Sequence, residues 1–489
     1  MACEVSEGRY VQLRAAALDF LGAAFSTLTM LRVLPVSMYH RYIRVGADYV
    51  GADVMFSNEF KDLEEQITLA FPERCMADGH SGGTASGFIF GFLEASIAEL
   101  ATKQEHEFSS NPDAAEEMID ELVRVLEQDM RSMVHCRLVS HLTTADGEPV
   151  TVGGVTLVPV PQEAFLPEIM SIVTTKIPMA RQAFFSGPPV TLDRPNAIVI
   201  AEKTTSGDPF QTKHELKTRV ERFLLIARLV TGATARSYWD ITGTSDAISD
   251  FRPHGRAFFD GLGRHQILSR VGVVAEGDEG AFAALGQLID GAEVDREGKV
   301  MTSFDMAFGR FTRSYLTDDL ADAVVDLATS LEAILLGGDK SKDDIGLRLR
   351  GRAAALLSTT NDAAPAMKRH ISDLYSVRSA LVHGGSLKAA ELRRYFRRIV
   401  AEPQGQPDGV LFARLVDRFR DLVRRAILAR LALAAEPVKL WPFDNPPPNV
   451  DQLLCDDGES ERWRSQWRTT LASIGLGHAG EALPEAEDY

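Results

Sequence analysis

Apolar and polar positions along the chain follow helical spacing at both ends and β-type spacing between them. An Ala- and Leu-rich pattern predicts a helix over residues 9–33, ended by Pro35. Residues 58–70 and 87–104 carry further helical patterns. Asn111-Pro112-Asp113 combines a turn with a helix start, because proline is tolerated in the first helical turn. The helix predicted over 113–135 gathers Met118, Leu122, Val125 and Leu126 on one face, with acids opposite. The first 135 residues therefore read as mostly α.

The pattern then changes. Leu138–Thr144 and Val150–Val160 are β-branched runs joined by Ala145-Asp146-Gly147, which reads as a hairpin. Val190–Leu192 and Ala197–Ala201 are shorter strand candidates, and Thr204–Pro209 reads as a loop. Over 213–231, Leu216, Val220, Phe223, Leu224, Ala227 and Val230 recur at helical spacing until Gly232 supplies a stop. From Ser303 onward the signal is helical again. Leu320, Val324, Leu327, Leu331 and Leu335 form one stripe, and helices are predicted over 347–357, 366–382, 390–400 and 411–434. Beyond Pro437, Trp441-Pro442 and Pro446-Pro447-Pro448 mark a linker, followed by a tail in which Trp463 and Trp467 dock a short helix. The expected fold class is α+β, multidomain and predominantly α. It divides into an N-terminal helical region (1–135), a mixed α/β region (136–302), a helical domain (303–437) and a linker with a tail (438–489).

A chain of 489 residues suggests about two to four domains. With 45% apolar and 25% charged residues it has the composition of a globular protein with a buried core. A net charge of −17 argues against a general nucleic-acid-coating protein, though not against a local basic surface. Cys3, Cys75, Cys136 and Cys455 lie far apart with no CxxC, so reduced thiols are expected, and neither a metal site nor a cofactor is. Glu4, Glu7 and Asp19 make a poor secretory signal, and the apolar run Phe20–Leu31 is shorter than the roughly 20 residues of a membrane span. The reading is a soluble, cytoplasmic protein with no membrane partner.

The candidate chemistry lies in Tyr375-Ser-Val-Arg-Ser-Ala-Leu-Val-His-Gly-Gly385, where Arg378 and His383 stand five positions apart at the end of a predicted helix. Arg378 falls one turn after Leu374 and two after Ile371, so it should project from the packed side, where an arginine needs a partner or a ligand. Two readings stay open on spacing alone. Arg378 can be satisfied by an acid such as Glu332 while His383 caps the helix, or the two can serve a site.

This segment resembles the HEPN motif, an Arg followed by four to six residues and a His. Arg-Ser-Ala-Leu-Val-His-Gly is, more narrowly, similar to the Apea-like HEPN family. Asp319–Leu336 resembles that family's first long helix and Leu347–Leu357 its second, so the resemblance covers residues 303–437. It implies an all-helical domain that forms a homodimer and cleaves RNA without a metal, in a bacterial defence or toxin-like setting, with a trigger or antitoxin as further partner. Arg378 would then grip a phosphate through its planar fork of donors and His383 would move protons, with Glu332, Tyr375 and Ser379 supporting them. Attack by a 2′-hydroxyl would leave a 2′,3′-cyclic phosphate, a route closed to DNA. Many members carry Asn, Asp or His directly after the Arg, where this chain has Ser379. The alternative is a HEPN module without catalysis that dimerises and binds RNA or nucleotides.

Local charge fits a phosphate ligand. Residues 301–437 hold 21 Lys and Arg against 17 Asp and Glu, a net of +4, so the remainder carries −21. Arg348, Arg352, Arg393 and Arg394 are the candidate RNA contacts, and Arg350, Lys368, Arg369, Arg397 and Arg398 add to the cluster. A solvated basic face is the competing reading. Three other features read as structural: the glycine loop His80-Ser81-Gly82-Gly83, the His135-Cys136 pair and Asp260-Gly261-Leu262-Gly263.

Overall fold

The computed structural model describes residues 2–30, 54, 57–75, 85–100, 112–161, 166–178, 180, 196–246, 248–249, 254–257, 270–293, 300–317, 319, 320–337, 344–359, 363–383, 388–399, 407–435 and 450–483. It is mainly helical with a small sheet. The candidate strand Val190–Leu192, the loops at His80–Gly83 and Asp260–Gly263, Gly384-Gly385, and the segment holding Trp441 and Pro446 lie outside the described residues, as do the side chains of Arg397 and Arg398. No helix among the described residues is long and apolar enough to cross a membrane.

Among the described residues, the N-terminal region holds α1 (Ala2–Met30), α2 (Asn58–Ala70), α3 (Pro72–Cys75), α4 (Ala85–Leu100) and α5 (Pro112–Glu127). They enclose a core of their own, with Leu13, Phe20, Leu63, Ile89, Phe92 and Leu122 inside. Gly91 of α4 touches the backbone of Ser249, where an added Cβ would lie 2.5 Å from its carbonyl oxygen.

The sheet departs from the expected hairpin. Its strands are β1 (Arg131–Ser140), β3 (Val150–Val152), β4 (Val155–Pro159), β5 (Ala197–Thr205), β6 (Arg236–Thr244) and β7 (His254–Ala257), in the order β3-β4-β5-β1-β6-β7, every pair antiparallel. The helix predicted over 113–135 stops at Glu127, because Arg131–His135 pairs with β5 and, from Met133 on, also with β6 as the centre of the sheet. The tight turn is at Gly153-Gly154, both at positive φ, and not at Gly147. β2 (Leu142–Thr144) leaves the sheet after His141, at φ 55°, and pairs in parallel with β8 (Gly272–Val274). β5 continues through Thr205, into the segment read as a loop.

One sheet face packs on α6 (Leu166–Lys176) through Val134, Cys136, Leu138, Ile198, Ile200 and Ile241. The opposite face carries α7 (Pro209–Thr231), which starts four residues ahead of the expected 213 under an Asp208 cap and is stopped by left-handed Gly232 as its sequence predicts. That face opens into an apolar interior reaching from Met133 and Val199 through α8 (Glu279–Glu293), α9 (Ser303–Leu316) and α10 (Leu320–Leu336) to Trp463 and Ala479. α11 (Ile345–Leu357), α12 (Ala364–Val382), α13 (Ala389–Ile399) and α14 (Asp408–Ala434) complete the bundle, and α14 is buried along most of its length. α15 (Val450–Leu454) and α16 (Asp457–Ser473) close it, with Trp463 and Trp467 fully interior. Trp467 donates to the Leu356 carbonyl at 3.1 Å, so the C-terminal segment is part of the core.

Arginines bridge the α/β layer and the bundle from inside. Arg424, wholly buried, donates to the carbonyls of Leu229, Ala479 and Glu481 at 3.0, 2.6 and 2.7 Å and pairs with Asp421 at 2.7 Å. Arg270 pairs with Asp417 at 3.0 Å, and Arg228 and Arg420 both lie over the Tyr315 ring. Within 303–437, Arg352, Arg420, Arg424, Arg425 and Arg430 are buried.

Candidate functional site

Helix α12 presents the candidate residues. Pro365 stands in its first turn, and Met367, Ile371, Leu374 and Val377 recur along one buried stripe. α12 packs on α10 and α11. Tyr375 and Arg378, three residues apart, rise where this stripe meets the surface and are half-buried, while Ser379 and His383 are exposed. His383 is the residue at which the helix ends, its N–H bonded to the Ser379 carbonyl at 3.1 Å. Five residues of helix separate Arg378 from His383 by roughly 7–8 Å along the axis.

Glu332 comes from α10, next to the buried Leu331 and Leu335. It does not pair with Arg378. Its carboxylate accepts a hydrogen bond from the Tyr375 hydroxyl. Burial and then the Glu332 carboxylate push the Tyr375 phenol above its ordinary range, and the nearby Arg378 charge opposes the shift. Arg378 itself has no hydrogen-bond acceptor or carboxylate partner among the described residues, and its Nε is sealed from solvent without an acceptor. In a chain of net charge −17, Arg378 thus stays without a carboxylate among the described residues, on the helix that ends at the exposed His383.

The arginines expected around the motif divide. Arg352 is 2% exposed and donates to both oxygens of Asp451 at 2.6 Å and to the Leu335 carbonyl at 2.8 Å. Arg348 donates to the same carboxylate at 3.1 Å. Their donors anchor α15 to α11: the Arg352 fork is filled by Asp451 and Leu335, which leaves it none for a phosphate, whereas Arg348 is half-buried and reaches Asp451 through Nε. Asp451 lies about a hundred positions away in sequence, and no spacing announces it. Arg393, on the surface, pairs with Asp408 at 3.0 Å, and Arg394 lies over the Tyr395 ring at 5.1 Å.

The other singled-out pair is internal. Cys136 is fully buried, its thiol pushed up to about 12 by desolvation. His135 shares a hydrogen bond with Thr242 at 2.8 Å, and its buried Nε2 has no partner. Desolvation, then Arg137 and two lysines, lower it to about 3. Neither suits a nucleophile or its base. No group of three or more His, Cys, Asp or Glu side chains among the described residues is placed to hold a metal ion. No family model, curated protein or solved structure matches this chain.

Proposed function

We propose that residues 303–437 form a HEPN-type domain that cleaves RNA without a metal, with Arg378 as phosphate clamp and His383 as proton carrier. The observation that carries this reading is the guanidinium of Arg378, half-buried and unpaired among the described residues, on the helix that ends at exposed His383. Leaving such a group without a carboxylate costs stability unless a ligand uses it.

The chemistry follows from the donors. Arg378 would bind two non-bridging phosphate oxygens and stabilise the charge that grows on them as the 2′-oxygen attacks phosphorus. The P–O2′ bond forms and the P–O5′ bond breaks. One imidazole takes the 2′-hydroxyl proton and another gives a proton to the departing 5′-oxygen, leaving a 2′,3′-cyclic phosphate and a 5′-hydroxyl. A single chain supplies one His383, so a homodimer would supply both.

The test is cleavage of total RNA by the purified full chain with and without EDTA. Wild type should cut in both conditions and leave cyclic phosphate ends, and H383A should lose at least about a hundredfold in rate. Undiminished cleavage by H383A removes the nuclease reading. The second reading, RNA binding without cleavage, is favoured by Ser379, which is exposed and presents only a hydroxyl beside the clamp. It predicts binding that R378A weakens and no cleavage by any variant.

A further inference from the structure

Arg378 has no carboxylate partner among the described residues, although Glu332 bonds a residue one turn before it on the same helix. Glu332 reaches the α12 surface at Tyr375, three residues before Arg378, and the phenol lies within electrostatic reach of both charged groups. Neighbours at that spacing share a helix face. A guanidinium–carboxylate bond, charged on both sides, is stronger than a phenol–carboxylate bond, so Glu332 should prefer Arg378 wherever its rotamers allow. In the structure its Oε1 is taken by the Tyr375 hydroxyl, and the Nε of Arg378 goes without an acceptor.

We infer that Tyr375 is a positioning residue that holds Glu332 off Arg378 and so keeps the guanidinium available to an RNA phosphate. This deepens the proposed function and rests on it. The phenol acts through Glu332 and need not touch RNA. Removing its hydroxyl frees the carboxylate, which then closes onto Arg378 and competes with the phosphate. Removing the carboxylate as well leaves no competitor, so the defect should vanish. A residue that merely packs would give the opposite pattern, a double variant no better than the single one.

The experiment measures binding of a short labelled single-stranded RNA of mixed sequence to the full chain carrying H383A, so that nothing is cleaved. R378A, Y375F, E332Q and Y375F/E332Q are added in turn, each checked for folding by its thermal transition. Y375F should weaken binding about tenfold, the scale of one charge-assisted hydrogen bond. E332Q should bind at least as well as the background, and Y375F/E332Q should return to it. Should Y375F unfold, the comparison passes to E332Q and the double variant, and weaker binding in either overturns the inference. If R378A weakens binding and Y375F does not, or if the double variant stays as weak as Y375F, the inference is overturned while the clamp stands. If R378A binds like the background, the clamp falls and the inference with it.

Discussion

Arg352 and Asp451 meet in a two-pronged pair, each carboxylate oxygen 2.6 Å from a guanidinium nitrogen, across an arginine that is almost fully enclosed. Removing one partner strands the other, so R352A should lower stability by about 3 kcal/mol and R352K should recover little of it, because an ammonium lacks the planar fork. Denaturant midpoints measure this directly. R352A that is stable yet weak in RNA binding would return this arginine to the surface role.

The same pair sets an acid limit. Burial raises the Asp451 carboxyl, but hydrogen bonds and charge from Arg352 and Arg348 together outweigh it and hold the group below its ordinary 3.8. A depressed carboxylate contributes stability that is present above the ordinary value and is lost as pH falls through the folded one. Wild type should therefore lose this contribution below about pH 4. D451N should show a shallower dependence there when melting is followed against pH.

His135 acts in a higher window. Its folded value of about 3 lies well below the ordinary 6.5, so the unfolded chain binds the proton first. Stability is full above 6.5 and falls as pH drops from there toward about 3, by up to about 1.4 kcal/mol per unit from this group. H135Q should flatten that stretch of the pH–stability curve. A curve unchanged by H135Q would mean that the imidazole is not held neutral.

Thiol chemistry should separate by position. Cys455 is exposed, whereas Cys136 is buried with its thiol pushed up to about 12. A disulfide reagent at neutral pH should modify Cys455 in the native protein and reach Cys136 only after denaturation, as peptide mass mapping would show. Early modification of Cys136 would contradict the burial of β1.

Gly91 offers a packing test. A methyl group there would meet the Ser249 backbone at 2.5 and 2.7 Å, and main chain cannot rotate away. G91A should cost about 1–3 kcal/mol, read as a lowered melting temperature, while G22A, with open space around it, should cost nothing measurable.

The stripes of α12 and α10 were legible because each buries one face at 3.6-residue spacing, and Arg378, expected on the packed side from its spacing to Leu374, lies half-buried at the edge of that stripe. The start of β1 was not, although its end at Leu138–Ser140 was, because a central strand is covered on both faces and shows no alternation where Arg131–His135 follows an amphipathic helix. β6 escaped detection for a related reason. Its inward Asp240 and Thr242 make sense only opposite Arg137 and His135, about a hundred residues earlier. The Glu332–Tyr375 contact was equally hidden, since a hydrogen bond across two helices leaves no local spacing.

Arg424 binds the C-terminal segment through the carbonyls of Ala479 and Glu481, atoms that every amino acid supplies. Drift in side-chain identity at those two positions should thus be forgiven by this contact. Shortening the chain ahead of Ala479 would not be, since it would strand a guanidinium between the α/β layer and the bundle. At this contact selection should act on length and path more than on spelling.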